Sequence, residues 1–258
     1  MKSVKDYWNG NANTWTKLSR AGYDTYRDFL NTPAFLKMLP DVKGLSGLDI
    51  GCGEGSNTRQ LAKLGASMTA FDISQIFTQH AQGYFDPSAI NYLTANAEWM
   101  PFMNATFDFA VGFMSFMDMA NVHLAIKEVY RVLKPGGFMQ FSISHPFVDT
   151  PYHKNLRGED GLTYAYEVAG YFQNMHGDLS EWIFSSAPPE ARQGFPKFKV
   201  PRFTRTLSQW INSLLDVGFV LERLGEPYPD DNTVKQCQNI QDAQVIAYFL
   251  HIRVRKPK

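Results

Sequence analysis

A glycine-rich turn near residue 50 is the feature that most constrains how this chain can fold. The apolar run 48–50 leads into a segment with glycine at alternate positions, Gly51, Gly53 and Gly55, and residues 57–64 then carry apolar side chains at helical spacing. Glycine has no Cβ, so it adopts positive φ at little cost and lets another molecule approach the backbone. A helix that begins here points free N–H groups into the same space. The segment therefore predicts a strand, a ligand-binding turn and a helix.

An acidic residue follows this turn at an informative distance. The run 66–73 predicts a second strand that ends with Asp72, about 20 residues after the turn, where an acid is placed to bind ribose hydroxyls. The glycine spacing is G-x-G-x-G, whereas the dinucleotide fingerprint is G-x-G-x-x-G. At this point a dinucleotide site and an ordinary strand-to-helix connection both remain open.

Strand and helix patterns alternate through the next seventy residues. Apolar runs at 90–94, 107–113 and 138–143 predict three more strands, with amphipathic helices at 74–83 and 122–133 between them. Such alternation favours a parallel sheet with helices on both faces and right-handed crossovers. Ligands of these sheets bind at the carboxyl ends of the strands, where the glycine turn and Asp72 are expected.

The ends of the chain extend this pattern. An amphipathic helix at 207–217 precedes a sixth strand at 220–224 and a final strand at 245–254. Before the first strand, residues 24–30 have a helical pattern, and Pro33 is placed to open another helix.

The segment 146–203 breaks the alternation. It is rich in proline and aromatic residues, and alternating patterns at 162–168 and 179–184 predict short strands or a hairpin. A stretch of this length is too long for a simple loop, so we expect an insertion over the edge of the sheet where ligands bind.

Three motifs now resemble one family. They are D-I-G-C-G-E-G at 49–55, N-A-E-W-M-P-F at 96–102 and E-V-Y-R-V-L-K-P-G-G at 128–137. Together they resemble the class I S-adenosylmethionine-dependent methyltransferases, and most closely the type 11, ubiquinone-biosynthesis-like branch that acts on small molecules. The family usually has aspartate where this chain has Asn96, whose side-chain oxygen still accepts a hydrogen bond. Residues 144–147, S-H-P-F, together with Gly218-Phe219 and Glu226-Pro227, resemble one subgroup of that branch.

The resemblance implies a Rossmann-like α/β fold. We expect a seven-stranded, mostly parallel sheet with helices on both faces and the last strand antiparallel, inserted beside the fifth. We expect residues 1–258 to form a single domain whose parts are an N-terminal helical cap at 1–43, a cofactor-binding core at 44–145, a substrate-covering aromatic insertion at 146–203 and a C-terminal helix and strand pair at 204–258.

The resemblance also implies a cofactor site for S-adenosyl-L-methionine, with S-adenosyl-L-homocysteine as product. The glycine backbone would hold the methionine moiety, Asp49 would orient its amino group, Asp72 would accept the ribose hydroxyls, and the N-terminal arm would reach the carboxylate. The predicted cofactor-binding residues are Tyr26, Arg27, Asp49, Gly51, Cys52, Gly53, Gly55, Asp72, Ile73, Asn96, Ala97, Glu98, Phe113 and Met114.

The residues that contact the methyl acceptor are predicted from their positions in the fold. His145 follows the fifth strand, and its neutral form is available near pH 7, so it is the candidate base; a histidine that only hydrogen-bonds the backbone at this bend is the alternative. His123, His153 and His176 are weaker candidates. The predicted substrate-binding residues are Met117, His145, Phe147, Tyr152, Trp182 and Arg205.

Composition limits the class of partner. The chain has 25 basic and 25 acidic residues, which argues against a surface built mainly for nucleic acid, and it lacks the N/D-P-P-Y/F motif of many nucleic-acid and protein N-methyltransferases. Two cysteines do not form a disulfide framework, and Cys52 is expected to be a small turn residue. No metal site, signal peptide or membrane span is predicted, so we expect a cytoplasmic protein, monomer or homodimer.

These observations predict a methyltransferase that acts on a small molecule, with aromatic molecules among the candidates, through an O, N or C nucleophile. Two alternatives stay open from the sequence. A non-catalytic S-adenosylmethionine-binding or regulatory protein needs the same cofactor residues. A nicotinamide-dependent oxidoreductase needs another glycine spacing and lacks the motifs at 96–102 and 128–137.

Overall fold

The computed structural model describes residues 2–84 and 89–258. In this part of the chain the strands are β1 (Ser46–Ile50), β2 (Ser67–Asp72), β3 (Asn91–Thr94), β4 (Phe107–Phe113), β5 (Leu133–Ser144), β6 (Tyr152–Arg157), β7 (Thr163–Ala169), β8 (Asp178–Trp182), β9 (Phe198–Arg202), β10 (Val220–Gly225) and β11 (Phe249–Arg255). The α-helices are α1 (Val4–Arg20), α2 (Thr32–Met38), α3 (Ser56–Lys63), α4 (Gln75–Gln82), α5 (Val122–Val132), α6 (Pro189–Arg192), α7 (Leu207–Leu215) and α8 (Asp231–Gln236). A π-helical turn, Arg27–Asn31, leads into α2, and 3-10 turns span Phe116–Asp118 and Gln238–Gln244.

Seven strands form the central sheet in the order β10-β11-β5-β4-β1-β2-β3. Strands β1 to β5 are parallel, and β11 lies antiparallel between β5 and β10. Strand order reverses at β1, which pairs with β2 on one side and β4 on the other. Ligands of open α/β sheets bind at such a switch point, beyond the carboxyl ends of the strands. The predicted seven-stranded, mostly parallel sheet with its antiparallel last strand is confirmed.

Both faces of the sheet are buried. Consecutive residues of β4 belong to different apolar clusters: Ala110 packs with residues of α5 and α7, whereas Phe109 and Val111 pack with α2 and α3. Because side chains alternate between the faces of a strand, these clusters lie on opposite sides of the sheet. Fully buried strands of this kind carry continuous apolar runs, which is why the sequence showed them clearly.

A cover of α1 and the insertion lies over the carboxyl edge of the sheet. Strands β6 and β7 pair as one antiparallel ribbon, and β8 and β9 pair as a second. Helix α1 packs against β9 through an aromatic cluster in which Trp15 contacts the rings of Trp182, Phe184 and Phe198. The predicted short strands are therefore present, but each pairs with a partner strand that the sequence pattern did not reveal.

Two strand boundaries and one helix differ most from the sequence predictions. The last strand begins at Phe249 instead of residue 245, because the preceding 3-10 turn holds the backbone N–H of Val245 against Asp242. Strand β5 begins at Leu133, since Gly136 at φ +80° lets the chain bend while it stays in the sheet. Helix α1 lies within the helical cap predicted at 1–43, but its bounds were not predicted, although Ser3 and Asp6 form a capping box at its start.

Candidate functional site

A cavity of about 800 Å³ opens at the carboxyl ends of β1, β2 and β4, beneath the cover. That volume lies within the range of small-molecule pockets, about 300–1,000 Å³. The cavity collects most of the predicted cofactor-binding residues, namely Tyr26, Arg27, Asp49, Gly51, Cys52, Gly53, Asp72, Ile73, Asn96, Ala97, Glu98, Phe113 and Met114. Gly55 does not line it and instead caps the start of α3.

The glycine turn has the geometry that the sequence predicted. Gly51, Gly53 and Gly55 have φ values of +73°, +54° and +84°. A Cβ on Gly51 would lie 2.4 Å from the Cβ of Ser115, so this position is closed by protein packing. A Cβ on Gly53 would meet no protein atom within 4 Å, although Gly53 lines the cavity. The space beside Gly53 is therefore available to a ligand.

Cys52 lies between these glycines, and its thiol is not activated. Burial raises the pKa of Cys52 well above its usual range, and the charges of Asp72 and Asp49 raise it further. A thiolate is the reactive form of cysteine, so this side chain is disfavoured as a nucleophile.

Asp49 presents an unsatisfied oxygen at the end of β1. Asp49 is 1% exposed; its Oδ2 accepts a hydrogen bond of 2.5 Å from Thr58 Oγ1, and its Oδ1 has no partner among the residues that the structure describes. Burial raises the pKa of Asp49 to about 7, Thr58 opposes the shift, and the charge of Asp72 adds to it. A buried carboxylate oxygen without a partner is costly, and a bound ammonium group would remove that cost.

Asp72 ties the end of β2 to the glycine turn. Its Oδ2 accepts a hydrogen bond from the Gly53 N–H at 2.9 Å, and its Oδ1 accepts one from the Ser74 N–H at 2.8 Å. Burial raises the pKa of Asp72 to about 6, and these backbone N–H groups oppose the shift. Each carboxylate oxygen keeps a free lone pair, so the group can accept two further hydrogen bonds. The open space at Gly53, the free oxygen of Asp49 and this capacity of Asp72 fit an S-adenosyl group.

The loop after β3, which the sequence predicts to contact adenine, is held by hydrogen bonds within the protein. The Glu98 N–H donates to Asn96 Oδ1 at 2.9 Å, and the Glu98 carboxylate accepts from Asn121 Nδ2 at 3.2 and 3.1 Å. The amide oxygen of Asn96 therefore already stabilises its own loop and keeps one lone pair for a ligand.

The N-terminal residues Tyr26 and Arg27 line the cavity but have protein partners. The Tyr26 hydroxyl donates to the Asp242 carboxylate, and burial together with that charge raises the pKa of Tyr26. The Arg27 guanidinium donates to Asp28 at 2.8 Å and to the Ser19 hydroxyl, and it lies 3.7 Å from Asp24. Both side chains are bonded to other groups of the protein, so their predicted contact with the cofactor carboxylate stays a prediction.

Backbone strain marks the end of β4. Met114 has φ +56°, a left-handed conformation that costs a residue with a Cβ about 1–2 kcal/mol. Its N–H donates to Ser142 O at 3.0 Å and Ser142 Oγ at 3.2 Å, which hold the bend. Next to it, Ser115 Oγ donates to Ile50 O at 2.5 Å and joins the end of β4 to that of β1. Strained residues concentrate at functional sites, and this one lines the cavity.

The acceptor-side predictions divide into two groups. Met117 and Trp182 line the cavity. His145, Phe147, Tyr152 and Arg205 lie outside its lining, which does not favour their predicted contact with a substrate. Their surroundings in the structure explain why.

His145 is a buried structural histidine by its contacts. Its Nδ1 accepts from the Phe147 N–H at 3.2 Å, so the neutral ring carries its proton on Nε2, which lies 3.0 Å from Glu226 Oε1. Burial lowers the pKa of His145, and Glu226 partly opposes that shift. Both nitrogens are used within the protein and the ring lies outside the cavity lining, which favours the alternative of a structural histidine at this bend. The contact also links the S-H-P-F segment to the Glu226-Pro227 segment noted in the sequence.

The other three residues are engaged elsewhere. Phe147 is 48% exposed and stacks between the rings of His145 and Tyr171. Tyr152 is also 48% exposed, and its hydroxyl donates to Glu167 at 3.0 Å. The Arg205 guanidinium donates to the carbonyls of Phe203, Met119 and Ala120, so it fastens the end of the insertion to the loop before α5.

Charged residues that the sequence did not single out also line the cavity. Asp118, at the end of the 3-10 turn after β4, is buried, and Asp149 forms an ion pair with Arg202 of β9. The sequence signal for Asp118 was a lone acid within the apolar run 113–119. The Asp149–Arg202 pair carries no local signal, because the two residues are far apart in the chain.

Two features, a membrane-spanning helix and a metal-binding group, are absent from residues 2–84 and 89–258. No helix there is long and apolar enough to cross a membrane. No group of three or more His, Cys, Asp or Glu side chains in those ranges is arranged to hold a metal ion.

Residues 48–141 match the family model described as a methyltransferase domain. Among curated proteins, the malonyl-[acyl-carrier protein] O-methyltransferase of Pseudescherichia vulneris is 32% identical over 122 residues, which cover 46% of this chain and 48% of that protein. A demethylmenaquinone methyltransferase of Tropheryma whipplei is 34% identical over 128 residues, 48% of this chain and 53% of that protein. The chain spans about half the length of these curated relatives.

A solved structure covers more of the chain. An S-adenosylmethionine-dependent methyltransferase from Mesorhizobium loti superposes with a TM-score of 0.71 at 24% identity, over 86% of this chain and 96% of that one. The likeness therefore extends beyond residues 48–141.

Proposed function

We propose that this chain, which has the class I S-adenosylmethionine-dependent methyltransferase fold and a methyltransferase domain at residues 48–141, transfers a methyl group to a small molecule. The observation that carries the proposal is the meeting of three features at one cavity. They are the open space at Gly53, the free oxygen of Asp49 and the carboxylate of Asp72, all at the carboxyl ends of neighbouring strands.

The residues of this cavity have separate tasks in the proposal. S-adenosylmethionine, when bound, supplies an electrophilic methyl group on a sulfonium sulfur. Asp49 binds an ammonium group, Asp72 accepts ribose hydroxyls, and the backbone at Gly53 allows close approach. Because the electrophile needs little activation, the protein contributes chiefly by positioning the partners and excluding water.

Exclusion of water is the task of the cover. Tyr23 and Trp15 from the N-terminal segment, together with Trp182 and Phe203 from the insertion, line the cavity opposite the glycine turn. This arrangement supports the division inferred from sequence, with a cap at 1–43, a core at 44–145, a substrate-covering insertion at 146–203 and a C-terminal part at 204–258.

The relatives support a small-molecule acceptor without fixing the accepting atom. One is named for O-methylation of a malonyl group on acyl-carrier protein, and another for methylation of demethylmenaquinone. The balanced charge of 25 basic and 25 acidic residues supports an acceptor other than nucleic acid. We infer an O, N or C nucleophile that enters the part of the cavity beneath the cover.

Asp72→Ala tests the cofactor site. A buried hydrogen bond to a charged group contributes about 1.5–3 kcal/mol, so this variant should bind S-adenosylhomocysteine about 10 to 100 times more weakly by calorimetry. The matched control is Asp216→Ala, which removes an exposed acid outside the cavity. Equal affinity of the wild type and Asp72→Ala for S-adenosylhomocysteine would show that the site is misassigned.

Two further measurements separate the alternatives. Transfer of a labelled methyl group to a metabolite extract distinguishes an enzyme from a protein that only binds the cofactor. A titration with nicotinamide cofactors beside S-adenosylhomocysteine tests the oxidoreductase alternative, which the methyltransferase domain match disfavours.

A further inference from the structure

One buried carboxyl group faces the cavity without a partner. Asp118 ends the 3-10 turn after β4, is 9% exposed and lines the cavity. Among residues 2–84 and 89–258, its side chain forms neither a hydrogen bond nor an ion pair. Buried carboxyl groups normally have such partners, so an unpaired one that faces an open cavity indicates a ligand contact.

The remaining acids of the cavity have other partners or tasks. Asp24, Glu54 and Asp149 form ion pairs with arginines, and Glu98 accepts hydrogen bonds from Asn121. Asp49 and Asp72 lie at the glycine turn, where the proposed cofactor uses them. Asp118 is the acid left for the acceptor within the described lining.

The electrostatic surroundings of Asp118 favour a cation. Burial raises the pKa of Asp118 well above its usual range; the negative charges of Asp149 and Asp72 raise it further, and Arg202 opposes them. Arg202 is already bonded to the Asp149 carboxylate and to the Thr150 carbonyl. A ligand hydroxyl would leave an ionised Asp118 uncompensated, whereas an ammonium group would neutralise it.

The cavity walls near Asp118 are apolar and aromatic, which suits the apolar part of a ligand that carries an ammonium group. Strand β9 packs against the turn that holds Asp118, and its Val200 lines the cavity. Trp15, Trp182 and Phe203 line the same cavity. Aromatic faces attract cations as well as apolar groups, so these walls do not oppose a positively charged ligand.

We propose that Asp118 binds a protonated amine of the methyl acceptor and selects amines over alcohols of the same shape. The role of that amine as part of the acceptor rests on the proposed function. The binding site itself rests on the unpaired carboxyl group and the cavity, so the two can be tested separately.

The experiment compares phenethylamine with 2-phenylethanol, which share an aromatic body and differ in the ammonium group. Calorimetry measures both affinities with and without saturating S-adenosylhomocysteine, for the wild type, Asp118→Asn and the control Glu190→Gln. Glu190 is an exposed acid outside the cavity. In the wild type the amine should bind at least about 10 times more tightly than the alcohol, since hydrogen bonds to charged groups are the stronger class. Asp118→Asn should reduce this preference to about 2-fold or less, and Glu190→Gln should keep it.

A pH series supplies a readout that a purely structural role would not change. The amine binds ionised Asp118, whose pKa is raised by burial, so its affinity for the wild type should rise with pH over the range in which phenethylamine remains protonated. With saturating S-adenosylhomocysteine, Asp118→Asn should show a smaller rise than the wild type, because the titration of Asp49 and Asp72 in the same cavity is common to both proteins. Thermal unfolding of Asp118→Asn verifies that the variant is folded, because the amide has nearly the same size as the carboxyl group.

The outcomes separate the two proposals. Equal binding of the two probes, a preference that survives Asp118→Asn, or no binding of either probe up to about 10 mM overturns the amine site. A wild type that prefers the amine through Asp118 but does not bind S-adenosylhomocysteine supports the amine site and refutes the proposed function. A wild type that binds S-adenosylhomocysteine and shows no amine preference refutes the amine site alone.

Discussion

The two walls of the cavity are held in place by different forces. The strand wall consists of the ends of β1, β2 and β4 together with the glycine turn. The opposite wall consists of residues 23–27 and the cover, that is, α1 and the insertion with β6 to β9. The strand wall is fixed by backbone pairing, since β1 pairs with both β2 and β4. The cover is fastened by side chains, for example the Arg20–Glu54 ion pair at 2.8 Å and the Ser74–Asn9 hydrogen bond at 2.8 Å.

This difference predicts different responses to mutation. Backbone pairing within a buried sheet opens only with global unfolding, whereas a cover held by side chains can open locally. Substitutions in the strand wall should therefore change cofactor affinity strongly, and substitutions in the cover should change local opening more than affinity. Three variants test that contrast, from the largest expected effect on affinity to the smallest.

Gly53→Ala should have the largest effect. A Cβ here would occupy the space that the cofactor needs beside the turn, so affinity for S-adenosylhomocysteine should fall by about 100-fold or more. Gly22→Ala is the matched control, because Gly22 also has positive φ, +83°, and no atom within 4 Å of its Cβ position. Both variants carry the same backbone strain, about 1–2 kcal/mol, so a parallel loss of affinity would refute the steric explanation.

Asp49→Asn should have an intermediate effect that depends on pH. At pH 8 the ionised Asp49 binds the ammonium group, and the variant should be about 10 times weaker. The pKa of Asp49 is about 7, so lowering the pH to 6 protonates the wild-type side chain, and the two affinities should converge. Calorimetry at pH 8, 7 and 6 measures this; a constant ratio would contradict the assigned role.

Asp49→Asn should weaken ligand binding, but it should raise the free energy of unfolding of the ligand-free protein. The folded pKa of Asp49 lies above its ordinary value of 3.8, so its contribution to stability is present at low pH and is lost as the pH rises through 7. Without ligand, Asp49→Asn should therefore be more stable than the wild type at pH 8, as measured by denaturant unfolding.

Trp15→Ala should have the smallest effect on affinity for S-adenosylhomocysteine, a reduction of about 3-fold. It should nevertheless increase the local opening of the cover. The ring of Trp15 lies 4.8–5.4 Å from those of Phe198, Phe184 and Trp182, and its loss should lower local stability by about 2–3 kcal/mol. Hydrogen exchange should accelerate in α1, β8 and β9 and remain unchanged in β1 and β4. The control is Tyr228→Ala, which removes a ring that is 65% exposed. Equal acceleration in β1 would show that cover and sheet open together.

The sequence predicted the sheet better than the cover. Strand β4 was predicted with its observed bounds, Phe107–Phe113, because a buried parallel strand is a continuous apolar run. Helix α1 and the partner strands β6 and β9 were missed for separate reasons. The residues that α1 buries are mostly polar, β6 is largely exposed, and β9 contains Pro201, which argues against a strand. The early start assigned to β11 was wrong because residues 245–248 are apolar yet follow a 3-10 turn.

Within the site, too, residues in local motifs were predicted better than contacts between distant segments of the chain. Asp49, Gly53 and Asp72 were found in the sequence, and the structure brings them to one cavity. His145 was chosen as a base for its residue type and its place after β5, but the sequence gives no sign that Glu226, 81 residues later, contacts its ring. Asp118 was passed over, because an acid within an apolar run is informative only once its burial and missing partner are known.

The sequence alone determined the mostly parallel sheet and the glycine turn with its two acids. These depend on apolar periodicity and on backbone conformations that few residues tolerate, both of which are local properties of the chain. Tertiary structure alone decided which polar groups are satisfied and which remain free. It paired His145 with Glu226 and Asp149 with Arg202, and it left Asp118 unpaired, because hydrogen bonds between distant segments depend on the packing of the whole chain.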